Sequence, residues 1–307
     1  MNTLFLKLSY GIICFKLENL NIIPKTILYL LYNNFIDINE YNYLHINNIN
    51  VLSQYYNNIK FLMIMRKFSF NYIVFLRGKY KLSNVEEIKR LLSLMTKTEH
   101  NKLLNSNFDE LWNEIWQDTS NSKIYIKEYN KSKKYFKILK DNNFYDGLIT
   151  KYEEPEWEFP KGQRNNDDIT LKGNENFKLK GSLKTPFNET KIECAIREFE
   201  EETNILRKNI TILDRVNSIE EEYIGTDNKT YLHTYYLSTI KNNNEDLNLS
   251  GLYQQKEIGD IKWLTINEAL NKTRDYHNSK KELIYKTYFF ILNLIKNEKP
   301  FNYLEIN

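Results

Sequence analysis

The chain has 307 residues and a mass of 37.1 kDa, enough for two modest domains or one domain carrying a large insertion. Hydrophobic residues are 41% and charged residues 27%, and no apolar run reaches the roughly 18 to 20 residues of a membrane span, so a membrane protein is not expected. A net charge of only +3 excludes a uniformly basic chain, and two cysteines, Cys14 and Cys194, exclude a disulfide framework and point to a reducing, cytoplasmic setting.

The opening segment LFLKLSYGIICF alternates and lacks a small-residue cleavage site, so no secretory leader is expected. Ser9 to Leu17 is rich in β-branched and aromatic residues and reads as a strand. Residues 18–60, heavy in Asn, Ile and Tyr, fit no element. Phe61 to Phe75 reads as strand material interrupted at Met65, Arg66 and Lys67. From Ser83 the period becomes helical, with Val85, Ile88, Leu91, Leu92 and Met95 on one face. Thr96 and Glu99 have the spacing of a capping box. Phe108, Leu111, Trp112, Ile115 and Trp116 form a wide apolar stripe, read as core in preference to a base-stacking platform. Tyr135, Phe136 and Leu139 close the helical region.

Between Lys67 and Asp146 there are 15 Lys and Arg against 10 Asp and Glu. Seven of those lysines fall between Lys123 and Lys140, opposed only by Glu128. Two readings stay open for that run: a solvated lysine face, or a surface for RNA phosphates on which Lys131, Lys133, Lys134 and Lys137 are the candidate contacts.

After Asp146 short strands alternate with isolated helices. Strands are expected at Glu156 to Phe159, Ile210 to Ile219, Tyr223 to Gly225, Thr230 to Thr239 and Ile261 to Leu264. Helices are expected at Glu189 to Thr203 and Lys281 to Ile295, and 165–185 reads as a polar surface loop. On the first of these helices Ile192, Ala195, Ile196 and Phe199 should face the core. Glu198, Glu201 and Glu202, at i, i+3 and i+4, then share one face about a turn tall. Like charges that close cost stability unless a cation neutralises them, and an oxygen-only donor set suits magnesium or manganese. Arg197 is placed to pair with Glu193 or Glu189.

The spacing of Glu189, Arg197–Glu198, Phe199, Glu201–Glu202, Asn204 and Ile205 resembles the Nudix box. Two positions depart from it. The late glycine is Asn204, a residue that tolerates a left-handed backbone at a helix end. The early glycine is not at Leu183, where the usual spacing puts it, and is assigned to Gly162 of WEFPKG, which makes residues 163–188 a loop insertion. YIVFLRGKY, MTKTE, FDELWNEIW and CAIREFEEETNI further resemble the decapping enzymes of poxviruses, African swine fever virus and giant viruses. That resemblance implies an α/β (α+β) Nudix sandwich with an inserted all-helical domain: residues 1–66 its first part, 67–148 the helical and RNA-binding insertion, 149–307 its main part. It implies hydrolysis of the 7-methylguanosine cap of mRNA in a host cytoplasm, with magnesium or manganese, and no obligate protein partner is evident. Glu198, Glu201 and Glu202 would then be the metal ligands and Glu189 an outer one. The base that takes the water's proton is Glu202 or Glu257, with Glu220, Glu221 and Glu222 as rivals, and Lys161 is a candidate phosphate contact. Two other readings are a Nudix hydrolase of diphosphoinositol polyphosphates or nucleoside diphosphate derivatives, and an inert Nudix-fold RNA-binding protein.

Overall fold

The computed structural model describes residues 6–18, 58–116, 123–144, 147, 149–164, 189–225, 229–242, 247–251 and 254–296. The unassigned stretch 18–60 lies almost entirely outside these residues, as does most of the 163–188 insertion. The chain divides into two compact units, one of Met1–Ile64, Trp157–Gln254 and Ile261–Asn307, the other of Met65–Glu156 and Gln255–Asp260.

The first unit is built on a mixed eight-stranded sheet. Its strands are β1 (Leu6–Leu17), β2 (Ile59–Arg66), β3 (Trp157–Glu158), β4 (Lys161–Gly162), β5 (Ile210–Ile212), β6 (Ile219–Ile224), β7 (Thr230–Ile240) and β8 (Ile258–Thr265). The order is β3-β2-β1-β7-β5, with β4 on β1, β6 on β7 and β8 on β2. β1 and β7 run parallel in register from Leu6 opposite Thr230 to Phe15 opposite Thr239. β1 is buried continuously from Ser9 to Phe15, the signature of a strand covered on both faces. Gly11 lies opposite Lys161 of β4; a Cβ there would meet the Pro160 carbonyl at 2.3 Å. Only glycine lets the WEFPKG segment come in this close, and Ile12 N–H donates to that carbonyl at 3.1 Å.

Three sequence expectations are corrected. Phe61 to Phe75 is not one strand: β2 ends at Arg66 and Phe70–Leu76 is helix α1. Ser69 caps it, its hydroxyl accepting from Tyr72 N–H, and this local start overrides the β propensity of Tyr72, Ile73 and Val74. The expected strand Ile210 to Ile219 stops at Ile212, where a turn closed by Val216 N–H to the Leu213 carbonyl intervenes. Glu257 is not in a loop; it ends the short helix Gln254–Glu257.

The second unit carries α1, α2 (Val85–Ser93), α3 (Lys97–Asn105), α4 (Phe108–Ile115) and α5 (Lys123–Asp141). Between Ser83 and Leu139 its described residues contain no strand beyond a single bridge at Thr96. Its core includes Tyr72, Leu92, Met95, Leu103, Trp112, Phe136 and Leu139. Trp112 is buried and packs on the Trp116 ring at 4.2 Å. Buried Glu99 ties two helix starts together. It accepts from Ser69 N–H and Oγ at 2.6 Å each and from Thr96 N–H at 2.8 Å, completing the capping box read from the sequence.

Candidate active site

The carboxylate face belongs to α6 (Lys191–Thr203) of the first unit. Thr190 caps its start in a reciprocal box with Glu193. Asn204 ends it at φ 59°, the left-handed conformation that the box's glycine would supply. Asn204 also donates to Asn248 Oδ1 at 3.1 Å and Ser250 Oγ at 3.2 Å. Cys194, Ala195, Phe199 and Thr203 are the fully buried positions, so the core-facing stripe is rotated slightly from the expected one: Ile192 and Ile196 are half-buried.

Opposite that stripe Arg197 stands at the centre of the acidic face. Its Nε donates to Glu189 Oε1 at 2.7 Å and one terminal nitrogen to Glu189 Oε2 at 3.2 Å. The other terminal nitrogen donates to Glu198 Oε1 at 2.7 Å and Glu201 Oε2 at 3.2 Å. Glu189 and Glu198 raise the proton affinity of the guanidinium further. The expected partner Glu193 is instead spent on Thr190.

Gly162 sits directly under Glu198. A Cβ on it would come within 1.9 Å of Glu198 Cδ and 2.1 Å of Oε2. The glycine of WEFPKG therefore makes the room in which this carboxylate lies, although 26 residues separate it from Glu189 in the chain. Glu202 accepts from Lys161 N–H at 2.9 Å. Desolvation pushes its carboxyl well above the usual range, Glu158 and Glu198 add to that, and Lys161 opposes it.

Behind the face lies a buried polar cluster that the sequence did not announce. Glu158 Oε2 accepts from Lys161 Nζ and, at 3.4 Å, from Lys280 Nζ. Glu221, alone of the acidic triplet on β6 in being buried, faces His233 Nδ1 at 3.0 Å and accepts from Tyr235 OH at 3.4 Å and Ser279 Oγ at 3.0 Å. His233 and Lys280 hold its carboxyl down to about 2 against the pull of burial. That makes Glu221 a fixed anion and a poor proton acceptor. Nothing in the sequence marked these residues: alternation would turn Glu158, between Trp157 and Phe159, to the face opposite theirs, and all three are buried.

Other sequence-derived candidates lie in the second unit. Glu257 is exposed, and its carbonyl accepts from Lys67 N–H at 2.8 Å. On α5 Lys131 Nζ donates to the Gly78 carbonyl at 2.7 Å, Lys133 to both Asp109 oxygens at 2.8 Å, and Lys137 pairs with Asp141 at 3.4 Å; Lys134 is exposed.

The donors Glu198, Glu201 and Glu202 fit a hard divalent cation in chemistry: all are anionic oxygens, gathered on one helix face above a glycine that leaves them space. As they stand, two are turned onto Arg197, and among the described residues no three acidic, imidazole or thiol groups already enclose an ion.

A capped helix of this pattern, packed on a mixed sheet through a Gly-containing strand, defines a class. A family model described as NUDIX domain matches residues 145–286, and the chain belongs to the Nudix family. It is 35% identical over 269 residues to a putative mRNA-decapping protein of Acanthamoeba polyphaga mimivirus, covering 78% of this chain and 68% of that one. It is 26% identical over 248 residues to mRNA-decapping protein g5R of African swine fever virus (isolate Pig/Kenya/KEN-50/1950), covering 78% and 92%. Among solved structures, a C. elegans Ap4A hydrolase binary complex aligns over 45% of this chain and 78% of its own, at 25% identity and a TM-score of 0.32. The protein is thus a Nudix hydrolase related to viral mRNA-decapping proteins. Among the described residues no helix is long and apolar enough to cross a membrane.

Proposed function

We propose that the chain is a divalent-cation-dependent decapping enzyme, which cleaves the cap pyrophosphate of 7-methylguanosine-capped mRNA in a host cytoplasm and releases 7-methyl-GDP and a 5′-monophosphate RNA. The observation that carries the reading is the acidic face of α6, lodged over a glycine with no room for a side chain, in a chain whose relatives are named for mRNA decapping.

Glu198, Glu201 and Glu202 would hold magnesium or manganese. Such an ion neutralises phosphate oxygens and lowers the pKa of water. The protein's own groups do the rest. Arg197 anchors to Glu189 through two nitrogens, so that end would stay fixed if Glu198 and Glu201 turned from its third nitrogen to hold a cation. Glu202, held from one side by the Lys161 amide, would accept the proton of the attacking water. Glu257 is the alternative base. Lys161 serves through its amide and its bridge to Glu158.

One observation favours a second reading, a hydrolase of diphosphoinositol polyphosphates or nucleoside diphosphate derivatives. The ammonium groups of Lys131 and Lys133 are spent inside their own unit, which thins the surface available to long RNA. The experiment is to incubate the protein and manganese with cap-labelled RNA, free cap analogue and a diphosphoinositol compound, and to identify the products. Release of 7-methyl-GDP from capped RNA is expected. Turnover of the inositol compound alone would replace the proposal with the second reading, and RNA retention without any product would leave an inert RNA-binding protein.

A further inference from the structure

Lysine is almost never fully buried unless paired, yet Lys280 is 5% exposed. It lies in the first turn of α7 (Asn278–Lys296). Its ammonium faces Glu158 Oε2 at 3.4 Å, and the same oxygen accepts from Lys161 Nζ. One carboxylate oxygen therefore lies between two ammonium groups. Lys161 in turn donates its backbone N–H to Glu202 Oε2 at 2.9 Å. Four residues from α7, β3, β4 and α6 thus form one unbroken line of charge-assisted bonds ending on the carboxylate face. The neighbouring Ser279 does the same for Glu221, so a single helical turn holds two buried carboxylates.

We infer that Lys280 is a positioning residue for the Nudix reaction: by fixing Glu158, and through it Lys161, it sets where the Glu202 carboxylate points. The inference rests on the role given to Glu202 under the proposed function.

The local architecture explains why a brace is needed. β4 has two residues, paired with β1 at Tyr10–Gly162 and Gly11–Lys161. A strand that short has little stiffness of its own, yet it carries both the amide that holds Glu202 and the glycine that lies under Glu198. Removing the Lys280 cation takes compensation away from a buried carboxylate. Lys161 and Glu158 then rearrange around each other, and β4 moves with them.

The test compares full-length wild type with Lys280→Met, Lys280→Arg, Glu158→Gln and, as a surface control one residue on, Lys281→Met. Each is assayed for kcat and KM on capped RNA, for manganese affinity by calorimetry and for Tm. Lys280→Met should lower kcat about 10- to 100-fold, the cost of a catalytic group displaced by up to about 1 Å, with KM within about 2-fold. It should weaken manganese binding several-fold. Lys280→Arg should restore most of the loss, and Lys281→Met should behave as wild type. A folded Lys280→Met with wild-type kcat and manganese affinity, or an arginine variant no better than methionine, would overturn the inference. Should Lys280→Met melt below the assay temperature, Glu158→Gln answers the same question: the same loss is expected, and wild-type kcat overturns. If wild type itself leaves capped RNA intact, the decapping reading fails, while the manganese comparison still judges Lys280.

Discussion

Helices α5 and α6 are both dense in charge, and they use it in opposite ways. On α5 the lysines lie on an exposed face, and their partners are whatever the neighbouring surface offers: a carbonyl at Gly78, a carboxylate at Asp109, and Asp141 a turn away. Exposed pairs of this kind contribute about 0 to 1 kcal/mol each, and none constrains the backbone. On α6 the glutamates are interlocked. One guanidinium reaches two of them together with Glu189 just ahead of the helix, the backbone amide of Lys161 on β4 holds Glu202, and a glycine far off in the sequence is shaped around Glu198. A run of like charge is chemically informative when surrounding positions have been bent to accommodate it. Composition alone does not separate the two helices.

That contrast can be broken at several points. The largest effect is expected from Glu201→Gln and Glu202→Gln. Each should take turnover to the limit of detection, with Tm within about 4 °C of wild type, since a charge leaves a repulsive cluster and no core contact is lost. RNA affinity should hold. Near wild-type activity in either variant at saturating manganese would remove these residues from the ligand set.

Gly162→Ala comes next. Its Cβ cannot coexist with the Glu198 carboxylate as placed, so Glu198 must swing away and kcat should fall about 100-fold. An alanine variant with unchanged kinetics would mean that the glycine merely shapes a loop.

Asn204 tests whether the helix end matters to stability as the glycine of the box would. Asn204→Ala at φ 59° should cost about 1 to 2 kcal/mol in denaturant unfolding, the left-handed penalty for a residue without a local hydrogen bond. Asn204→Gly should cost less, losing only the exposed bonds to Asn248 and Ser250. Equal losses would show that those side-chain bonds, not the backbone, are what the position supplies.

The smallest effect belongs to α5. Replacing Lys131, Lys133, Lys134 and Lys137 together with Ala should leave turnover of free cap analogue alone. It should flatten the salt dependence of long-RNA affinity by about 0.7, one single-strand phosphate contact, because Lys131, Lys133 and Lys137 already have protein partners. A change near 2.8 would mean that all four lysines leave their partners for RNA. An identical slope would make α5 an ordinary solvated face.

These expectations also mark what could be read from the sequence. The α6 carboxylates, the left-handed Asn204 and the Thr96–Glu99 box were legible because each is a local pattern whose physics is complete within a few residues. Helix α1 was not, because Tyr72, Ile73 and Val74 favour a strand and the serine that starts the helix is held by Glu99, 30 residues away. The partner of Arg197 was narrowed to two glutamates, and the choice fell on Glu189 because the N-terminal cap had taken Glu193. Lys280 and Glu158, 122 residues apart, left no trace of their meeting, since a buried ion pair looks in sequence like any lysine and any glutamate.

The helical unit leaves the sheet and returns to it through residues that are themselves hydrogen-bonded: Arg66 N–H donates to the Glu156 carbonyl at 2.9 Å, and Lys67 N–H to that of Glu257 at 2.8 Å. Some ninety residues are thus spliced between two backbone atoms that a tight turn could join equally well. A segment whose two ends meet at one hydrogen bond can be lengthened or shortened between them without moving those ends.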